Sequence, residues 1–354
     1  MTALRLLALD GDGIGPEIMA AALAVLDAVR PQLGRAVEVE RAKIGFAALK
    51  ATGSTIPEPV IAAARAADGV LLGPVSHNAY PPREEGGLNP SGVLRKALDL
   101  YANIRPARTW PGLDAPARRP FDLVVMRENL EGFYADRNMH QGSGEFMPVP
   151  GVALAVRRIT EDASRRIAEA AFALAETRPA QQVTAVHKAN VMRLSDGLFL
   201  DTVRAVAATH PAIAYDEVLV DAAAAHLVRD PSRFEVIVTT NMFGDILSDL
   251  ASELAGGLGL AGSLNAGPDH AAAQAQHGSA PDIAGRDRAN PTSLILSLAM
   301  LLRHLGEPAA AARIEAALAA CLARPETRTA DLGGRLGTHG FTAKLTAHIT
   351  GAMP

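Results

Sequence analysis

The chain has 354 residues, of which 49% are hydrophobic and 20% charged, with a formal net charge of −4. That length implies roughly two domains and a core large enough to stand without disulfides or structural metal. The balance excludes a disordered or fibrous chain, and the mild acidity excludes the basic footprint of a nucleic-acid binder. A single cysteine, Cys321, excludes an intrachain disulfide and any cysteine-built zinc or iron–sulfur site. No apolar run nears the ~18 residues of a membrane span, and the N-terminal stretch lacks the pattern of a signal peptide. A cytoplasmic protein without membrane or nucleic-acid partners is the expectation.

Strand and helix patterns alternate along the chain. Leu4–Leu9 reads as a strand, and a glycine-rich turn then opens a helix over Gly15–Val29 with Pro16 in its first turn. Strands follow at Val37–Lys43 and Gly69–Leu72, a helix at Gly92–Leu100, and strands at Ala102–Arg105 and Phe121–Met126. Thr109–Pro120, rich in Pro and Arg, reads as a surface loop. Arg137–Pro150 has no periodicity and runs into Val152–Ile159; it reads either as a disordered loop or as a clasp between subunits of a homo-oligomer. Thr160 caps a helix reaching Thr177. Gln182–Val186, Ile213–Val220 and Phe234–Thr239 are strands, each followed by a helix, and helices at Pro291–Leu305 and Ala309–Leu322 lie near the end. This rhythm predicts an α/β protein with a substantially parallel sheet.

Five features carry chemistry. Gly11–Glu17 (GDGIGPE) follows a strand and opens a helix, but its glycine spacing is not the Rossmann fingerprint. It is either a tight turn or an amide-lined anion cradle. Arg95, Arg105 and Arg127 end a helix or flank strands, and three guanidinium forks suit a di- or tricarboxylate. Asp245 and Asp249 share a helix face at i,i+4, and with Asp221 they offer the all-oxygen donor set of Mg²⁺ or Mn²⁺. Lys188 ends a strand in a chain with only five lysines among 34 basic residues, and a lysine can act as a base where arginine cannot; Tyr134 is a candidate proton donor. His277–Gly285 (HGSAPDIAG) with Asn290 has the composition of a ligand-embracing loop, where Asp282 can accept from ribose hydroxyls.

GDGIGPE, LRKALDLYANIRP, RENLEGFY, HKANVM, VDAAAAHLVRD, TTNMFGDILSDLASE and HGSAPDIAG, in this order, resemble the metal-dependent β-decarboxylating dehydrogenases. That family includes the isopropylmalate, isocitrate, homoisocitrate and tartrate/D-malate enzymes. The resemblance implies the isopropylmalate dehydrogenase-like two-domain α/β fold with a large mixed sheet, not Rossmann. One domain would comprise 1–100 and 256–354, the other 101–255 with the dimer interface and a clasp near 137–158. It implies a homodimer in which each site borrows Lys188 and Asp221 from the partner subunit. Arg95, Arg105 and Arg127 would bind carboxylates, and Asp221, Asp245 and Asp249 the metal. Lys188 would relay the hydroxyl proton, and Tyr134 would protonate the product enolate. Asn190, His277, Gly278, Ser279, Ala280, Asp282, Ile283 and Asn290 would hold NAD. Relatives that prefer NADP carry a Lys-Tyr pair where Asp282–Ile283 stand here.

Gln274 stands where the isopropylmalate enzymes usually carry Glu, and the segment before Leu94–Arg95 is Asn89–Val93 rather than an apolar wall. Asn89 and Ser91 therefore read as contacts to a polar 3-substituent. The substrate is expected to be a 3-carboxy-2-hydroxy acid, a 3-substituted malate of undefined side chain. A metal-dependent hydrolase or phosphoryl-transfer enzyme built on the Asp cluster is the alternative; it leaves Lys188 and HGSAPDIAG without roles. A non-catalytic subunit of the same fold should have lost one of the aspartates, Lys188 or Tyr134, and all are present.

Overall fold

The computed structural model describes residues 3–134, 136, 139–140 and 142–352. Strands β1 (Leu4–Leu9), β2 (Val37–Ala42), β3 (Gly69–Leu72), β4 (Ala102–Arg108) and β5 (Asp122–Glu128) come first. They are followed by a hairpin of β6 (Glu145–Val149) and β7 (Val152–Ala155), then β8 (Gln182–His187), β9 (Ala214–Leu219), β10 (Val236–Thr239), β11 (Leu264–Ala266) and β12 (Ala271–Gln274). All but the hairpin join one ten-stranded sheet in the order β2-β1-β3-β12-β11-β4-β5-β10-β8-β9. Its flanks are parallel, while β11 is antiparallel to β12 and β4, and β4 is antiparallel to β5. The strand–helix rhythm builds the parallel flanks. The late return of β11–β12 between β3 and β4 makes the sheet mixed and continuous.

The helices are α1 (Gly15–Val29), α2 (Phe46–Thr52), α3 (Glu58–Ala66), α4 (Pro90–Ala97), α5 (Glu161–Glu176), α6 (Ser195–Ala208), α7 (Val220–Arg229), α8 (Asn241–Leu254), α9 (Thr292–His304), α10 (Pro308–Leu322) and α11 (Thr338–Thr350). Alternate strand residues enter opposite cores. Leu4, Leu6 and Ala8 pack with Ile18, Leu298, Ile314 and Phe341 of the four helices α1, α9, α10 and α11. Leu7 and Leu9 pack with Ile61 and Leu94 of α3 and α4. In the other half of the sheet, Val124 and Met126 meet Ile167, Phe172 and Phe199 of α5 and α6, and Leu123 and Val125 meet Leu227 and Leu247 of α7 and α8. Each of these side chains larger than alanine, fully buried, is worth ~1.5–3 kcal/mol.

Most expected elements stand within a few residues. Thr160 accepts from the Ala163 amide, as a cap should. The helix expected over 92–100 begins at Pro90 and stops at Ala97, because Asp99 takes a left-handed φ of 50° and Leu100 N–H returns to Arg95 C=O at 2.9 Å. Asp99 then pairs with Arg166 at 2.5 Å. The stretch read as aperiodic over 137–150 contains β6. Its pattern was hidden because both faces of the hairpin are exposed and Phe146, Met147, Val149, Val152 and Leu154 give no polar alternation. Arg137, Asn138 and Gln141 of that segment lie outside the described residues. The short α2 and α3 were not anticipated, nor was the alanine-built β11–β12 pair. No helix among the described residues is long and apolar enough to cross a membrane.

Candidate active site

The site starts from the face of β4 and β5 that looks toward α8. Asn103 and Arg105 share one face of β4, and Arg127 lies opposite Asn103 in the antiparallel register. Both arginines are buried, Arg127 to 1% exposure, so each guanidinium needs partners. Arg127 Nε donates to Asn241 Oδ1 at 2.8 Å, and its Nη1 donates to Asp245. Arg105 donates from Nε to Asn103 at 2.6 Å and from Nη1 to Ser248 at 2.8 Å, Asp245 at 3.1 Å and Asp249 at 3.2 Å. The helix can come this close because residue 244 is glycine: a Cβ there would sit 2.6 Å from the Arg127 side chain.

Tyr134 donates its hydroxyl to Asp245 Oδ2. Burial alone would raise the Asp245 pKa, but Arg127, Arg105, Tyr134 and Arg95 outweigh it and hold the carboxylate ionised. Burial raises the Tyr134 pKa, as does the Asp245 charge, so the phenol keeps its proton at neutral pH. Arg95, on α4, lies within the electrostatic reach of both groups. Asp249 also accepts from Gln276 Nε2 at 2.8 Å.

A second cluster forms at the ends of β8 and β9. Lys188 Nζ donates to Asp221 Oδ1 at 2.5 Å, and Asp221 is two-thirds exposed. The Lys188 pairing lowers the Asp221 pKa. The turn carrying Lys188 is fixed by Asp196, fully buried, which accepts the Lys188 backbone N–H and is paired with Arg157. Asn190 stands exposed on the same turn. Within one chain, then, Asp221 belongs with Lys188 rather than with Asp245 and Asp249. Among the described residues no three His, Cys, Asp or Glu side chains converge.

The loop 277–285 rests on the GDGIGPE turn. Ile14 N–H donates to Ser279 C=O at 2.8 Å, Ser76 and Ser279 hydroxyls meet at 2.7 Å, and Glu17 accepts from Gly285 N–H at 3.1 Å. Three of the turn's amides are taken within the protein: Asp12 N–H by Pro74 C=O at 2.8 Å, Ile14 N–H by Ser279 and Gly15 N–H by Asp12 C=O at 2.9 Å, so the turn serves as the seat of the loop. Asp12 is internal as well, accepting from Phe46 N–H at 2.8 Å, Ser76 N–H at 3.0 Å and the Tyr80 hydroxyl. Beyond the loop lies a cavity of about 250 Å³ lined by His277, Gly278, Ala280, Ile283 and Asn290 among others. Burial lowers the His277 pKa, so the ring is neutral, and its buried Nε2 has no hydrogen-bond partner. Asp282 is exposed beside the cavity.

Three expected contacts have structural duties instead of free ends. Asn89 caps α4, accepting from Ser91 and Gly92 amides at 3.1 and 3.3 Å. Ser91 donates to Gln274 at 2.9 Å, so the two sequence departures form one pair. Asn290 donates to Asp331 at 2.9 Å and accepts from Thr292 N–H at 3.0 Å. Sequence reasoning missed Asn103, Asn241, Ser248 and Gln276 around the aspartates, and Arg157 and Asp196 behind Lys188. Asn103 and the α8 residues lie within motifs already singled out; for Gln276, Arg157 and Asp196 only the fold supplies the signal.

The model of the isocitrate/isopropylmalate dehydrogenase family matches residues 5–349. The chain is 44% identical over 342 residues to the isocitrate/homoisocitrate dehydrogenase of Thermus thermophilus, covering 96% of this chain and 97% of that one. It is 41% identical over 350 residues to the 3-isopropylmalate dehydrogenase of Methanothermobacter thermautotrophicus, covering 99% of each. The crystal structure of isocitrate dehydrogenase from Methylococcus capsulatus superposes with a TM-score of 0.89 at 39% identity, covering 98% of this chain and 99% of that one. The ten-stranded mixed sheet agrees with these similarities, and the chain belongs to the isocitrate/isopropylmalate dehydrogenase family.

Proposed function

We propose that the protein catalyses the NAD- and Mg²⁺- or Mn²⁺-dependent oxidative decarboxylation of a 3-substituted malate to a 2-oxo acid and CO₂. The observation that carries this reading is the buried arginine pair locked onto Asp245 and Asp249, with Tyr134 on the same carboxylate. The ionised Asp245, its neighbour Asp249 and an exposed third aspartate, Asp221, form an all-oxygen donor set that fits a hard divalent cation. The guanidiniums of Arg105 and Arg127 neutralise the Asp245 and Asp249 carboxylates. Asp245, Asp249 and Asp221 would hold the cation, and the forks of Arg105 and Arg127, with Arg95, would then bind the substrate carboxylates. The cation supplies acidification of the 2-hydroxyl and charge stabilisation as CO₂ leaves. Lys188 takes the hydroxyl proton at Nζ and passes it to solvent beside Asp221. Tyr134 delivers its proton from Oη to the carbon that lost CO₂, a role open to a phenol that is protonated at neutral pH.

The separation of Lys188–Asp221 from Asp245–Asp249 within one chain supports a homodimer in which a second copy completes each site. The exposed apolar hairpin β6–β7 suits a clasp between the copies. Residues 1–100 with 256–354, and 101–255, are the two domains that would close on the substrate. The 250 Å³ cavity, with its unpartnered buried His277 Nε2, fits the adenosine half of NAD. Asp282 at its edge accepts ribose hydroxyls and repels a 2′-phosphate, while Arg288 on the same wall leaves a basal affinity for NADP. The Ser91–Gln274 pair makes a polar wall, which favours isocitrate-, homoisocitrate- or tartrate-like side chains over isopropyl. The hydrolase alternative gains nothing from the similarities. NADH formation over a panel of 3-substituted malates, with captured CO₂ and a chelator control, tests the reading. Metal-dependent NADH and CO₂ from one compound support it; failure to bind NAD refutes it.

A further inference from the structure

Strands β4 and β5 have a second side. Asn103, Arg105 and Arg127 face the aspartates, whereas Ile104, Pro106, Arg108 and Val124 line a cavity of about 470 Å³ behind the sheet. Its opposite wall is Leu296 and Met300 of α9, so it lies where the two halves of the sheet meet. The volume is that of a small-molecule site, and the floor is mainly apolar. The charged groups around it are not equivalent. Arg178 is paired with Asp122 at 2.9 Å and Arg303 with Glu315 at 2.9 Å. Arg108 has no carboxylate partner among the described residues, and its guanidinium stacks over Trp110 at 4.1 Å. The Trp110 indole N–H, in the same wall, is buried without an acceptor.

We propose that this cavity is an effector site for a small monocarboxylate with a compact ring or branched apolar body. The single unpaired guanidinium takes the carboxylate, and Ile104, Leu296 and Met300 take the body. With Arg178 and Arg303 neutralised by Asp122 and Glu315, Arg108 leaves one uncompensated positive charge, which suits a monocarboxylate and separates this ligand class from the multiply charged substrates of the catalytic face. Because β4 is a wall of both sites, an occupant wedged against Ile104 and Pro106 changes how Arg105 meets its ligands, and the coupling is reciprocal. The binding site lies on the other face of the sheet and stands without the proposed reaction; its effector role rests on that reading, since KM is read in that assay.

Trp110 is the only tryptophan, so its emission reports on this cavity. The probe is cyclohexanecarboxylate, which does not absorb where tryptophan is excited, with cyclohexylmethanol as the uncharged control. Saturable change in Trp110 emission is expected with the acid. Arg108→Gln and Thr177→Tyr, the latter at the exposed mouth, should each weaken binding about tenfold or more, with unchanged circular dichroism and unchanged turnover without probe. The acid should also shift KM for the substrate in wild type and not in either variant. No saturable change, or one that both variants retain, overturns the site. Saturable binding with an unaltered KM overturns the effector role.

Discussion

Replacing Gly13 with Ala separates backbone strain from cofactor binding. Gly13 has φ +57°, and an added Cβ would lie 1.9 Å from the Ser279 carbonyl oxygen, which is itself the acceptor for Ile14 N–H at 2.8 Å. A left-handed non-glycine residue costs about 1–2 kcal/mol. The clash cannot be relieved without moving the 277–285 loop, and that movement forfeits a hydrogen bond worth about 1 kcal/mol. Gly53 is the control: its φ is +78°, and a Cβ there meets nothing within 4 Å. Gly53→Ala should lower the unfolding midpoint and leave NAD affinity unchanged. Gly13→Ala should lower both, with NAD binding weakened at least about tenfold, since each ~1.4 kcal/mol needed to draw the loop back is a factor of ten. Calorimetric titration with NAD beside thermal denaturation reads the two quantities. A Gly13→Ala protein that binds NAD as tightly as wild type would refute the claim that the GDGIGPE turn exists to seat this loop.

Other outcomes follow from the same geometry. Lys188→Met should fold and bind NAD but lose turnover by ~10²-fold or more; near-normal rates would remove its proton-relay role. Asp282→Lys with Ile283→Tyr should move the NAD/NADP preference in kcat/KM toward NADP, and an unchanged ratio would undercut the place given to Asp282. Burial, reinforced by the Glu131 charge, pushes the Glu128 pKa up to about 7. A folded-state value above the unfolded one means stability that is complete below the ordinary carboxyl range and lost as pH rises through about 7. Urea midpoints of Glu128→Gln should therefore gain on wild type between about pH 5 and 7; parallel curves would contradict this.

Much of the candidate site was legible because the residues proposed for it sit in contiguous motifs on regular elements. Asp245 and Asp249 are one helical turn apart, Lys188 ends a buried strand, and Leu4–Leu9 and Gly15–Val29 carry clear periodicity. Residues that act through tertiary register were not legible. Asn103 matters only because β4 runs antiparallel to β5, and Gln276 only because β12 is inserted beside β3 and carries the chain back past α8. The hairpin at 145–155 escaped because its apolar residues cover both faces, which erases the alternation that marks a half-buried strand. Asn89 was read as a substrate contact on residue type, yet its place immediately before Pro90 marks a helix cap.

The most direct test of a site shared between two copies is complementation. Lys188→Met and Tyr134→Phe chains, each with little or no activity alone, would be mixed, denatured and refolded together, then assayed for metal-dependent NADH formation. If Lys188 serves the partner's Asp245 and Tyr134, half of the mixed dimers' sites carry neither lesion, and activity returns to a substantial fraction of wild type. If all the residues of a site come from one chain, every site keeps a lesion and the mixture stays as inactive as its parents.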